Sequence, residues 1–144
     1  MLNGPVGTNY PLINSTYYSG GAGLSSTIYD YAIFLQMLLN NGVYNGKRLL
    51  SRNTVRIMTQ NQIGDLSIRG DDKFGLGFQL VTDKSSGKTL AQAGTYSWGG
   101  AFATSYWVDP KEKMVIVFYR QLLNTTHNEL ADKFRVLAYS ALND

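Results

Sequence analysis

Three short stretches of this chain carry residue types and spacings that could do chemistry. Gly94-Thr95-Tyr96-Ser97-Trp98-Gly99-Gly100 joins two apolar, strand-like runs, and its glycines leave a bare backbone that can approach a substrate closely. Ser85-Ser86-Gly87-Lys88 matches the Ser-x-x-Lys pattern, in which a lysine one helical turn away takes the serine proton. That chemistry needs its serine at the start of a buried helix. Here the tetrapeptide reads as a Gly-containing hairpin between strands, beside Asp83 and Lys84, so the match is expected to be accidental. Gly87-Lys88-Thr89 in the same turn resembles the end of a phosphate-binding loop. Thr82, however, stands where that loop's first glycine should be, and no helix is expected to follow. Gly20-Gly21-Ala22-Gly23 precedes a helix, and either its N–H groups bind an anion or the run is a tight loop packed on another segment.

The remaining reactive side chains are sparse. His127 is the only histidine, there are no cysteines, and no carboxylates cluster at metal-ligand spacing, so neither a metal nor a cofactor is expected. His127 falls at the expected start of the last helix, beside Asn128 and Glu129, as a solvated residue near the helix cap. Thirteen Lys and Arg against ten Asp and Glu give a net charge of +3 without a basic stripe, so nucleic acid is not an expected partner. No apolar run is long enough to span a membrane, and Met1-Leu2-Asn3-Gly4-Pro5 lacks an export pattern, which leaves the compartment open. Asn14-Ser15-Thr16 and Asn124-Thr125-Thr126 fit the glycosylation acceptor triplet, a pattern that arises often by chance.

At 144 residues and 44% apolar composition, the chain is one domain's length. A globule of this size buries about 68–70% of its unfolded surface. Residues 1–25 read as an irregular leader. Thr27 then caps a helix in which Ile28, Tyr31, Ala32, Leu35, Leu38 and Leu39 follow helical spacing, with Asp30 in the capping-box position and Gly42 closing it. Ile33, Phe34 and Met37 make its other flank apolar, so burial on more than one side is expected. Asn45-Gly46 signals a tight turn, and Ser51 caps a second helix through Met58. Strands are expected over 74–82, 89–93, 101–108 and 114–119, with Asp109-Pro110-Lys111-Glu112 as a turn. Gly75 and Gly77 leave one face of the first of these bare for close packing. A last helix, capped near Thr126, presents Leu130, Phe134, Leu137, Ala138 and Ala141 on one face. The expected fold is one α+β domain over 1–144, an antiparallel β-meander of about four strands with flanking helices.

Several segments in this order carry a family resemblance. Gly20-Gly21-Ala22-Gly23-Leu24-Ser25-Ser26-Thr27, Gly46-Lys47-Arg48-Leu49-Leu50-Ser51, Phe74-Gly75-Leu76-Gly77-Phe78 and Trp98-Gly99-Gly100 through Asp109-Pro110 resemble the C-terminal part of serine hydrolases related to class C β-lactamases, penicillin-binding peptidases and carboxylesterases. The resemblance implies a partial β-lactamase/transpeptidase-like fold. It also implies an acyl-enzyme chemistry whose Ser-x-x-Lys and Tyr-x-Asn elements lie upstream. No Tyr-x-Asn occurs here, and the only Ser-x-x-Lys is the one at Ser85. The chain is therefore expected to be the C-terminal portion of such a hydrolase, as a truncated form or a split or degenerate gene product, and inactive alone.

By the same resemblance, this portion supplies the strand that relatives write as Lys-Thr-Gly, His-x-Gly or Trp-x-Gly. Counting back from Asp109-Pro110 matches it to Thr95-Tyr96-Ser97, whereas residue type matches it to Trp98-Gly99-Gly100. Thr95, Tyr96, Ser97, Trp98, Gly99 and Gly100 are thus the implied substrate-binding residues, with the Trp98 N–H as first choice for an oxyanion-hole donor. The absence of Lys or His from Thr95 to Gly100 favours esters or other neutral acyl groups over carboxylate-bearing substrates. An acyl ester or peptide-like small molecule is the implied substrate, and self-association through surface left uncovered is expected. The alternative is a non-catalytic binding module, or pseudo-enzyme, that recognises a peptide, glycan or partner chain.

Overall fold

Thr27 fixes where the first helix begins. Its Oγ1 accepts the Asp30 N–H at 3.1 Å and donates to the Asp30 carboxylate at 2.8 Å. The computed structural model describes residues 20–21, 24–127 and 129–142, so most of the leader, part of the Gly20–Gly23 run and the Asn14 triplet lie outside the described residues. Helix α1 spans Ile28–Leu39 and ends where Asn41 (φ 53°) and Gly42 (φ 89°) turn left-handed. A Cβ on Gly42 would lie 2.1 Å from the Leu50 carbonyl oxygen, so only glycine fits. Strands β1 (Val43–Tyr44) and β2 (Lys47–Arg48) pair across the Asn45-Gly46 turn, both of whose residues have positive φ as a type I′ turn requires. Ser51 Oγ then accepts the Thr54 N–H at 3.0 Å to open α2, Arg52–Met58.

The second half builds the sheet from β3 (Lys73–Phe74), β4 (Gln79–Leu80), β5 (Tyr96–Gly99), β6 (Ser105–Asp109) and β7 (Met114–Phe118). A one-turn helix α3 (Asp83–Ser86) precedes β5, and α4 (Glu129–Ser140) closes the chain. The order β3-β4-β5-β6-β7 is an antiparallel meander of five strands, so the fold is α+β as expected. The register sets Tyr96, Val108 and Val115 on one face and Ser97, Trp107 and Ile116 on the other. On the first face Tyr96, Tyr106 and Val108 meet Leu35 and Leu38 of α1, Val55 of α2 and Phe78. On the second, Trp107 and Ile116 pack with Ala91 and with Ala131 and Tyr139 of α4. Each fully buried aliphatic or aromatic side chain here contributes about 1.5–3 kcal/mol.

Several expected elements take another form. The 74–82 strand is broken by a turn at Leu76-Gly77, where Gly77 has φ 92° and the Gly75 N–H bonds the Phe78 carbonyl at 2.8 Å. Gly75 does meet a close neighbour, the Met58 carbonyl oxygen, 2.2 Å from where a Cβ would stand. Residues 89–93 form no strand. Thr89 Oγ1 takes the Ala91 N–H there at 3.2 Å, a local bond that replaces a ladder bond. Instead Tyr96–Gly99 is itself a strand, and 101–103 are the hairpin loop after it rather than the start of β6.

The helix faces also differ from the pattern. In α1 only Leu35, Met37 and Leu38 are buried, while Ile28, Tyr29 and Phe34 are exposed, because the sheet covers one side of the helix alone. Helix α4 is turned so that Ala131 and Tyr139 face the sheet, Phe134 stacks on Phe118 at 5.0 Å, and Leu130 and Leu137 remain exposed.

Candidate functional site

The turn after β5 is where the backbone opens. The Val81 N–H bonds the Thr95 carbonyl at 2.9 Å, while the Thr95 N–H bonds the Gln92 carbonyl at 3.0 Å, so the Thr95 carbonyl, and by alternation the backbone groups of Ser97 and Gly99, point to the β4 side. The Gly100 N–H bonds the Thr104 carbonyl at 3.0 Å, so Gly100, and by alternation Trp98, face β6, where Trp98 is paired with Tyr106. Strand β4 stops pairing at Gln79↔Ser97. The N–H of Gly99 is therefore the next donor on the β4 side, at the point where the neighbouring strand has ended. Neither Gly99 nor Gly100 has room for a side chain. Their Cβ atoms would lie 2.9 Å from the Thr104 carbonyl oxygen and 2.6 Å from Thr104 Oγ1. The bareness of this segment thus lets its own hairpin close, with Ala103 at φ 63° in the left-handed position of a three-residue loop.

A cleft of about 690 Å³ opens on the α4 side of this turn, lined by Ser97, Trp98, Gly99, Gly100 and, among others, Gln79 and Thr104. Four of the six expected binding residues thus come together. Thr95 and Tyr96 go elsewhere. Thr95 is fully buried, and its hydroxyl donates to Asp109 Oδ2 at 3.0 Å. Tyr96 packs edge-on against Phe78 at 5.3 Å, with its buried hydroxyl lacking a partner among the described residues. Asp109 also accepts from Tyr139 Oη at 2.7 Å and from the N–H groups of Lys111 and Glu112 at 3.0 and 3.2 Å. This buried carboxylate joins β5, the β6–β7 turn and α4, and so fixes the strand that carries the cleft.

The cleft also holds residues that motif reading missed. Asp72 is buried in its wall, one carboxylate oxygen accepting from the Gln79 amide and the other, Oδ1, without a partner among the described residues. Arg69, Arg120 and Arg135 line it as well. Neither short-range pattern nor composition marks these positions, which two loops and α4 bring together.

The remaining candidates have structural roles. Ser85 does not sit in a hairpin. It is the third residue of α3, where its hydroxyl accepts the Thr82 N–H at 2.8 Å and Thr82 accepts the Ser85 N–H at 3.3 Å, a complete capping box. Lys88 is 2.8 Å from Asp71, whose carboxyl it holds below the usual range while its own ammonium is pushed up. The Ser-x-x-Lys match is thus a capping residue and an ion-paired lysine. His127 is exposed, 3.8 Å from the Glu129 carboxylate. Burial raises the phenols of Tyr96 and Tyr106, and burial followed by the Asp109 carboxylate raises that of Tyr139, so these groups stay neutral and supply no base at neutral pH.

An antiparallel meander between α1 and α4, with a glycine turn opening on a polar cleft, is a partial β-lactamase/transpeptidase-like arrangement. A family model described as Beta-lactamase matches residues 2–141, and the chain belongs to that family. It is 32% identical over 118 residues to an uncharacterized protein of Mycobacterium tuberculosis, covering 74% of this chain and 29% of that protein. It is 35% identical over 117 residues to an Escherichia coli K12 protein named "Putative D-alanyl-D-alanine carboxypeptidase", covering 79% of this chain and 25% of that protein. The chain thus spans less than a third of the length of these relatives. Among solved structures, EstCE1, described as a hydrolase with promiscuous acyltransferase activity, matches with TM-score 0.72 and 23% identity over 88% of this chain and 33% of that one. Simvastatin synthase (LovD) of Aspergillus terreus matches with TM-score 0.62 and 22% identity over 76% of this chain and 33% of its own. Both share the fold.

Proposed function

We propose that this chain is the oxyanion-side portion of a serine acyl hydrolase that cleaves esters or amides through an acyl-serine. The observation that carries the reading is the Gly99 N–H, which faces the β4 side just beyond the last β4–β5 pair, beside the cleft. In an acyl transfer the carbonyl oxygen becomes an oxyanion, and a preorganised backbone donor stabilises it. Gly99 is the better donor than Trp98, since the Trp98 N–H is turned to β6. The same geometry favours Trp98-Gly99-Gly100 over Thr95-Tyr96-Ser97 as the substrate strand, because the latter's first two side chains are in the core.

The nucleophile is not in this chain under this reading: Ser85 is a helix-capping residue, and Lys88 is committed to Asp71. A Ser-x-x-Lys and Tyr-x-Asn portion completes the site. Alone, the chain is inactive and self-associates through surface that such a portion covers. The test is a backbone ester at the Trp98–Gly99 bond in the completed enzyme, which removes the N–H and adds no side chain. Acylation is expected to slow by about 10²–10³, the cost of one oxyanion donor. An unchanged rate refutes the assignment of Gly99.

A further inference from the structure

The face of the sheet turned to α1 holds a polar group that the described chain leaves unused. Tyr96 is 2% exposed, its ring is packed edge-on against Phe78, and its hydroxyl has no partner among the described residues. A buried hydroxyl left unpaired is destabilising, so a molecule that accepts from it would be held there. Tyr96 lines a cavity of about 400 Å³ between the C-terminal ends of α1 and α2 and the β6–β7 turn. This cavity is on the opposite face of the sheet from the cleft, at the first residue of β5, whereas Gly99 is the last.

Most polar groups around the cavity are already satisfied. At the end of α1 the N–H groups of Asn40, Asn41 and Gly42 donate to the Gln36, Leu38 and Met37 carbonyls, and the Gln36 amide donates to the Asn40 side chain at 3.3 Å. At the end of α2 the N–H and the hydroxyl of Thr59 both donate to the Val55 carbonyl, at 3.0 and 2.9 Å. Two groups remain. The Tyr96 phenol, pushed up by burial, stays protonated and has an O–H to donate. Lys113 is the one charged residue of the described lining, and its ammonium has no ion-pair partner among the described residues. Its backbone is held at φ 52°, after a turn whose Lys111 and Glu112 N–H groups are fixed by Asp109. Leu38, Leu39 and Val55 give the cavity an apolar wall.

We propose that this cavity is a ligand site for a small monocarboxylate with an apolar body. The carboxylate accepts from the Tyr96 hydroxyl, Lys113 supplies the counter-charge, and the body lies on Leu38, Leu39 and Val55. A single cation suits one negative charge and not a polyanion. The site needs neither the Gly99 donor nor a nucleophile, so it stands or falls independently of the proposed acyl chemistry.

The test is titration of this 144-residue chain with hexanoate and, as the neutral control, hexanamide, followed by the backbone amide resonances of Asn40, Thr59 and Lys113. Hexanoate is expected to shift them saturably, and hexanamide to bind at least tenfold more weakly. Tyr96→Phe deletes the hydroxyl alone. It should weaken hexanoate at least tenfold while leaving the unfolding midpoint unchanged or higher, since no bond within the chain is lost. Lys113→Gln should bring hexanoate down to the level of hexanamide, and a dispersed amide spectrum for each variant excludes unfolding as the cause. Absence of a saturable shift would mean that water alone meets the hydroxyl, and would overturn the site. Equal binding of acid and amide, or undiminished binding by Tyr96→Phe, would overturn it as well. A lowered midpoint for Tyr96→Phe would show that the hydroxyl has a partner within the chain, which contradicts the premise.

Discussion

Asp109 carries more of the structure than any other polar side chain described here. It is fully buried and accepts from Thr95, Tyr139, and the N–H groups of Lys111 and Glu112. Each buried donor left unpaired costs about 1–3 kcal/mol, so Asp109→Ala should lose at least about 3 kcal/mol and Tyr139→Phe about 1.5–3 kcal/mol by urea denaturation. A loss under 1 kcal/mol for Asp109→Ala would show the network to be incidental. This role was not legible in the sequence. Thr95 read as a site residue because it adjoins the glycines, while its partner Asp109 lies on β6 and that carboxylate's other partner, Tyr139, lies far along the chain on α4. The cation at Trp98 was missed for the same reason, since Arg69 reaches the strand from a loop well before it in sequence.

The buried phenols give a pH dependence that belongs to single residues as well. Tyr96, Tyr106 and Tyr139 have raised folded pKa values, whereas an unfolded tyrosine titrates near 10. Their contribution is complete below about pH 10 and is lost as pH rises further, because the unfolded chain releases those protons first. Each contributes a slope of up to about 1.4 kcal/mol per pH unit. Denaturation midpoints measured from pH 8 to 11.5 should therefore be level at first and then fall steeply, and a level profile throughout would contradict the burial of these rings.

At the scale of elements, what chain-local chemistry dictates was readable. Thr27 and Ser51 cap their helices, and Asn45-Gly46 turns the first hairpin, because caps and turns are decided by a few adjacent residues. Strand limits were less so. Strands β3 and β4 have two residues each, too short to show a period, and the alternation of Phe74, Leu76 and Phe78 imitates a strand where Gly77 in fact makes a turn. That turn rests on α2, with the Leu76 N–H on the Met58 carbonyl at 2.9 Å. Gly75→Ala would drive a methyl against the same carbonyl, so a loss of about 1–3 kcal/mol is expected in thermal or chemical unfolding. A neutral substitution would mean that the hairpin is not seated on α2.

For the whole molecule, among the described residues the sheet ends at β7, whose residues Met114-Val115-Ile116-Val117-Phe118 carry no charge, and α1 exposes Ile28, Tyr29 and Phe34. An uncharged edge and an uncovered apolar flank invite association. Sedimentation is expected to show concentration-dependent oligomers; a strict monomer at high concentration would argue that these surfaces need no cover. Family membership was legible from the order of several short segments, since glycine turns and caps are local. The cleft's charged wall was not, since two loops far apart in sequence and α4 assemble it.

Under the proposed function, this chain supplies the oxyanion side of an acyl-serine site and no nucleophile. The most direct measurement is the intact mass after exposure to a serine-reactive fluorophosphonate, for this chain alone and for a protein in which a Ser-x-x-Lys and Tyr-x-Asn portion precedes it. No adduct is expected on the chain alone, and one adduct, on the Ser-x-x-Lys serine, is expected in the completed protein. A stoichiometric adduct on the chain alone would contradict that function by placing an activated serine within these residues, and no adduct in either form would favour a binding module.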